Sequence, residues 1–255
     1  MITTSELTNV AEMKRLSLRN TEKDYLMELL LYTVSEFKHM LVFKGGTALY
    51  KFYNLNRFSE DLDFDVVGKR YDGDALINTI VRNLELTGMP RTICETAEHG
   101  NEINIRFVVR GPLSDGSKES MSRVSFNLSR RERPTFVQKK LLVPTYQELP
   151  SFELSVLDAK EIAAEKIRCI MTREKPRDIY DLWFLSKRGV TLDVSLIDKK
   201  LKLYRLKFDR TRFLGNIQGK RNMWVRDLDG LVIGTLPAFD DVVAELEAWC
   251  TSQMK

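Results

Sequence analysis

The chain has 255 residues, 43% hydrophobic and 9% aromatic, enough for a continuous core and above the size at which disulfides or metals must replace one. With 13 Gly, 7 Pro and a net charge of +4 it is neither collagen-like, nor of low complexity, nor disordered as a whole. Three scattered cysteines without a C-x-x-C pair and two histidines argue against a disulfide framework or a Cys/His metal site and lead us to expect a reducing cytoplasm.

In chain order, no basic-then-apolar secretory leader is expected at the start. The longest apolar run, residues 26–34, is interrupted by Glu28 and falls far short of a membrane span, so no membrane association is expected. Thr21-Glu22-Lys23-Asp24 has capping-box spacing, and apolar residues recur behind it with helical period, predicting a helix over 21–38. Met40-Leu41-Val42-Phe43, Lys44-Gly45-Gly46-Thr47 and the segment 48–53 then read as strand, glycine turn and helix. The segment 59–67 alternates charge and apolar residue, the period of a strand. Further strands are expected at 91–97, 103–110 and 122–129, with a helix at 74–87. After Leu157 the pattern turns helical, with Asp158 opening one helix and Pro176 starting a second that ends near Gly189. A third is expected at 194–204 and a last at 239–249. The fold class is therefore α+β: a mixed sheet with helices over 1–150, followed by a mostly helical region over 151–255.

The sharpest feature is Ser59-Glu60-Asp61-Leu62-Asp63-Phe64-Asp65-Val66. On a strand Asp61, Asp63 and Asp65 share one face at about 6.6 Å spacing while Leu62, Phe64 and Val66 turn to the core. Three carboxylates on one face repel, and divalent cations between them relieve this; hard oxygen ligands favour Mg²⁺ or Mn²⁺. A two-metal clamp of this kind stabilises the attacking and leaving oxygens of a phosphoryl displacement. A solvated acidic edge strand is the plainer alternative. A calcium loop fails, because the sixth position is Val66 and the twelfth Asp72. Just upstream, Gly45-Gly46-Thr47 enters a helix, where backbone N–H groups and a hydroxyl can cradle a phosphate. One element would hold a triphosphate and the next its metals.

Gly45-Gly46-Thr47, then Arg57-Phe58-Ser59-Glu60-Asp61-Leu62-Asp63-Phe64, then Lys166, then Pro176-Arg177-Asp178-Ile179-Tyr180-Asp181-Leu182 resembles the AbiEii/AbiGii toxin family over about residues 20–190. That family is related to MenT-type toxins and lies within the DNA polymerase β-like nucleotidyltransferase superfamily. The resemblance implies an NTP-dependent nucleotidyltransferase with Mg²⁺ or Mn²⁺. Asp61 and Asp63 would be the metal pair, and Gly45, Gly46, Thr47, Ser59 and Arg177 would bind nucleotide. Lys166 takes the helix-borne basic position; of Asp178 and Asp181, one would be functional and the other orient Arg177 or Arg173. It further implies the 3′ end of tRNA or other RNA as acceptor, and a cognate antitoxin. One departure stands out: many relatives carry a third carboxylate where this chain has Asn127. An amide can ligate a metal but brings no charge, and Asp65 is the available substitute.

Residues 199–226 hold ten basic residues against one acid, Asp209, with Tyr204, Phe208, Phe213 and Trp224 interleaved, a mixture suited to binding phosphates and stacking on bases. Helices with solvated cationic faces would look the same. Two other functions stay open: a catalytically weak nucleotide- or RNA-binding module, suggested by Asn127, and a nucleotidyltransferase acting on a protein or small molecule.

Overall fold

Thr3 starts the first helix, α1 (Thr4–Lys14), with a reciprocal cap. Its hydroxyl accepts from the Glu6 N–H at 3.2 Å and the Glu6 carboxylate accepts from the Thr3 N–H at 2.7 Å, a device that stabilises by about 1 kcal/mol. α2 (Leu18–Val34) is started by Ser17, whose hydroxyl accepts from Asn20 N–H at 3.2 Å. The start expected at Thr21 is thus corrected: Thr21 lies inside the helix, its hydroxyl donating to the Ser17 carbonyl at 2.9 Å. Ser17 offers the same capping chemistry one turn earlier. The structure, a computed structural model, describes residues 1–68, 71–89 and 92–253. The chain divides into two units, 1–52 with 58–157 and 53–57 with 158–255.

The first unit continues with β1 (Leu41–Lys44), α3 (Gly45–Phe52), β2 (Asp61–Val66) and α4 (Gly73–Leu86), then β3 (Ile93–His99), β4 (Glu102–Val109), β5 (Ser122–Ser129), β6 (Val137–Leu142) and β7 (Phe152–Leu157). The strands form a mixed sheet in the order β3-β4-β5-β2-β1-β7-β6. β1 runs antiparallel to β2 and parallel to β7, and β2 runs parallel to β5. The expected strands at 103–110 and 122–129 and the helix at 74–87 appear within a residue or so; Arg91, where the first of the later strands was expected to begin, lies outside the described residues. Central strands bury a run of rings: Phe43 against Phe64 at 5.0 Å, Phe64 stacked on Phe126 at 4.7 Å, and Phe126 edge-on to Phe107 at 6.2 Å. Each such pair adds about 0.5–1.5 kcal/mol beyond the area it buries. These rings anchor β1 and β2 in register, which places Lys44 and Asp63 opposite each other.

Twelve of the 17 residues of α2 are buried, among them the acids Glu22, Asp24 and Glu28, so these carboxylates need partners inside the unit. Glu22 accepts from Leu113 N–H at 2.7 Å and from the Ser122 hydroxyl. Asp24 receives Lys14 at 2.5 Å, Lys51 at 2.6 Å and the Tyr146 hydroxyl at 3.0 Å. Glu28 receives the same Lys51 at 2.6 Å and Thr145 N–H at 3.1 Å. Because Lys51 sits on α3, this knot ties α3 to α1 and α2.

The second unit contains α5 (Ala159–Thr172), α6 (Pro176–Lys187), α7 (Val194–Lys202), α8 (Arg210–Gln218), α9 (Trp224–Leu228) and α10 (Phe239–Gln253). Asp158, Asp193 and Asp209 cap α5, α7 and α8, and Pro176 opens α6 at its first turn, as its fixed φ favours. The short segment 53–57 joins this unit through Asn56, whose carbonyl accepts from Ile233 N–H at 2.8 Å, and through a bridge between Arg57 and Val232. Among the described residues no helix is long and apolar enough to cross a membrane.

Candidate active site

β1 ends and α3 begins at Gly45, whose φ of +78° lies in the left-handed region. A Cβ there would stand 2.5 Å from Asp63 Oδ2, so the missing side chain makes the space that the Asp63 carboxylate fills. Gly46 and Thr47 occupy the first turn of α3, where backbone N–H groups have no partner within the helix. Thr47 is fully buried and its hydroxyl donates to the Asp61 carbonyl at 2.5 Å, locking this turn to the start of β2. Ser59 is buried just ahead of β2. Gly45→Ala should therefore be harmful twice over, through about 1–2 kcal/mol of left-handed strain and through displacement of Asp63. A melt and a transfer assay check this; wild-type values for both would refute the close fit.

On β2, Asp61 and Asp63 are half-buried while Leu62 and Phe64 are in the core, so the alternation read from the sequence holds over these four residues; beyond them Asp65 is buried and Val66, expected in the core, is half-buried. Asn127 on β5 lies in register with Asp63 and its amide donates to Asp63 Oδ1 at 3.0 Å. Asn127 thus stands beside the pair and hydrogen-bonds one of its members. Asp65 differs in depth from the other two expected metal ligands. It is fully buried, with Lys44 Nζ at 2.7 Å, and among the described residues no three Asp, Glu, His or Cys side chains converge as a metal cage. The donor set left by Asp61 and Asp63 is all oxygen, anionic and partly open, which fits a hard divalent cation.

In the second unit, Lys166 on α5 is buried with its ammonium 2.9 Å from Asp178 and 2.6 Å from Asp181, both on α6. Arg173 grips Asp178 with two hydrogen bonds of 2.7 and 2.8 Å. Arg57 grips Asp181 through Nε at 3.0 Å and Nη2 at 2.9 and 3.0 Å. The two acids thus divide between Arg173 and Arg57, while Arg177 pairs with Asp227 at 3.4 Å. Burial alone would push the Asp178 carboxyl up, but Lys166 and Arg173 outweigh it and hold it well below the usual carboxylate range. Burial likewise opposes charge on Lys166, and Asp181 and Asp178 overcome it, raising its pKa. A depressed carboxyl stabilises the fold above its unfolded pKa, and that contribution is lost as pH falls through the folded value. An Asp178→Asn variant should therefore close its stability gap to wild type below about pH 4, measurable by urea titration. A gap independent of pH would contradict this network. Arg57 carries a role that the sequence pattern did not assign: it lies 124 positions from Asp181, a separation that no spacing rule reveals.

The basic stretch is less uniform than its composition. Lys200 is buried between Glu161 at 2.8 Å and Glu165 at 3.0 Å, and Lys220 is buried, donating to the carbonyls of Ile170 and Asn216. Arg210 and Arg221 pair with Glu247 and Asp240. Phe213 and Trp224 are core residues, the Trp224 indole donating to Pro237, so neither is placed to stack on a base. Lys199, Lys202, Arg205, Lys207, Arg212 and Arg226 are exposed.

A glycine turn at the end of β1 and a carboxylate pair on its antiparallel neighbour β2 lie side by side within the mixed seven-stranded sheet, and the family model that matches the chain is that of a nucleotidyltransferase. The chain belongs to the AbiEii nucleotidyl transferase toxin family of type IV toxin–antitoxin systems, whose model matches residues 29–245. Its fold is similar to that of MenT4, a nucleotidyltransferase toxin of Mycobacterium tuberculosis, at 21% identity over 100% of this chain and 90% of that one, with a TM-score of 0.68. JHP933 from Helicobacter pylori is similar at 20% identity over 93% of this chain and 92% of that one, with a TM-score of 0.63. No curated protein matches the chain significantly. Membership makes the protein an NTP-using transferase and the toxin half of a pair that includes an antitoxin.

Proposed function

We propose that the protein transfers a nucleoside monophosphate from an NTP to the 3′ end of tRNA or another RNA and releases pyrophosphate. The observation that carries this is the fit of the Asp63 carboxylate into the space left by Gly45, which unites the glycine turn and the acidic strand in one constellation. Asp61 and Asp63 would hold Mg²⁺ or Mn²⁺, which when bound supplies charge stabilisation to the transferring phosphoryl group. The first-turn N–H groups of Gly46 and Thr47, at the positive end of α3, suit the triphosphate, and the Thr47 hydroxyl keeps that turn on β2. Ser59 and Arg177 are proposed to complete nucleotide binding. Lys166 is proposed to supply positive charge towards the leaving pyrophosphate, with Asp178 and Asp181 fixing its ammonium. With little covalent chemistry for the chain to perform, rate comes from positioning and electrostatics.

Incubation with each labelled NTP, Mg²⁺ or Mn²⁺ and total RNA tests this, and labelled RNA is the expected product. Asn127 on Asp63 favours a second reading, nucleotide binding with slow transfer, because the amide brings no charge for a second ion; bound NTP without product would select it. The exposed cations serve as the RNA-binding face in our reading. Charge reversal at Arg205, Lys207 and Arg212 together should weaken RNA binding and flatten its salt dependence, the slope becoming shallower by roughly 0.7 for each phosphate of a single strand that is no longer neutralised. An unchanged slope would turn the search to protein or small-molecule acceptors.

A further inference from the structure

We propose that Lys44 and Asp65 form a resident counter-ion pair that sets the charge of the Asp61–Asp63 face, and that Asp65 is not itself a metal ligand. The inference rests on the metal-binding reading of that face. Antiparallel register puts Lys44 opposite Asp63 and Val42 opposite Asp65, so the lysine shares a side with all three carboxylates. Its ammonium reaches diagonally to Asp65, at 2.7 Å. On the other flank, β5 sets Ser125, Asn127 and Ser129 opposite Asp61, Asp63 and Asp65. Those partners are neutral, so among the register neighbours on both flanks Lys44 brings the positive charge.

Depth separates the pair from the open ligands. Asp65 is 0% and Lys44 9% exposed, whereas Asp61 and Asp63 are half-buried. A carboxylate so deep needs a permanent cation, because an exchangeable one would leave it uncompensated whenever the site emptied. Among the described register neighbours one ammonium stands against three carboxylates, which leaves the face the charge of two. One divalent cation balances that charge, and any further cation would come with the negative charge of the triphosphate. The residue in register with Asp63 therefore acts through the charge of the face and not by touching substrate; Lys44 and Asp65 are positioning residues.

The test is Mn²⁺ titration of nucleotide-free protein by calorimetry. Asp65→Asn should weaken Mn²⁺ binding about tenfold or more, because the freed ammonium then competes for Asp63 at close range. Lys44→Met should tighten it by a similar factor, but it leaves the deep Asp65 carboxylate uncompensated and can fail to fold. The double variant Lys44→Met/Asp65→Asn removes both charges and decides the matter, with its melting curve as the check on folding. Mn²⁺ affinity within about threefold of wild type supports the pair, since Asp61 and Asp63 still present the same net charge. An affinity as weak as that of Asp65→Asn alone would make Asp65 a ligand and overturn the proposal. Asp61→Asn serves as the separate control: if the wild-type protein binds no Mn²⁺, or Asp61→Asn binds it equally well, the metal-binding reading itself fails.

Discussion

Lys51→Met should cost about 3–5 kcal/mol of stability at neutral pH, the range for removing one partner from a buried charge pair. For a chain of this size that is a fall in melting temperature of roughly 6–20 °C. The lysine is nearly inaccessible, and burial alone would disfavour its charge, yet Asp24 and Glu28 raise its pKa above that of an ordinary lysine. Methionine fills much the same volume, so the loss isolates charge: Asp24 keeps Lys14, while Glu28 is left with Lys14 at 3.7 Å and a backbone N–H. The pH dependence gives a second signature. Burial pushes the Asp24 carboxyl up, but Lys51 and Lys14 outweigh it and hold the group below its ordinary value. Its contribution is complete above the unfolded carboxylate pKa and is lost as pH falls through the folded one, so the difference between wild type and variant should shrink below about pH 4. Urea titrations at neutral and acid pH measure both effects. A melting temperature within about 2 °C of wild type would mean that the knot contributes little.

Asp61→Asn and Asp63→Asn should each reduce transfer more than about 100-fold, with stability unchanged or raised. Removing a ligand from a charge-stabilising site loses several kcal/mol of transition-state stabilisation. Removing one of the two half-buried carboxylates relieves their mutual repulsion in the free protein. The two variants differ in one respect. Asp63 accepts from Asn127, so Asp63→Asn replaces an ion–amide hydrogen bond with an amide–amide one, and its gain in stability should be the smaller. Labelled-NTP turnover and thermal melts on the same preparations separate chemistry from folding. Full turnover in either variant would remove that carboxylate from the mechanism.

The sequence exposed the strand–turn–helix–strand run because its signals are local: apolar residues through β1, two glycines, and strict alternation along β2. Alternation gives a face but not a depth, so it grouped Asp65 with Asp61 and Asp63 although Asp65 is sealed against Lys44. That distinction depends on the register of β1 against β2, a tertiary property. The charge count over 199–226 includes buried, paired cations for a related reason. Lys200 meets Glu161 and Glu165 at positions 35 or more residues away, and a local tally cannot see acids contributed by another helix. β6, β7 and α8 also escaped reading, since a six-residue strand such as Val137–Leu142, with five polar or solvent-facing positions, lacks a clear period.

The affiliation of residues 53–57 bears on how such a protein can be recombined. This short run follows α3 and precedes β2, yet it is fastened within the second unit by the Arg57 grip on Asp181. The two units are therefore interleaved along the chain and not strung in series. A chimera joined at a single point after Leu157 would bring Arg57 from one parent and Asp181 from the other. Heredity by tail exchange is open only to parents that agree on that arginine and its bidentate acid, so the pair acts as a compatibility lock between otherwise divergent halves.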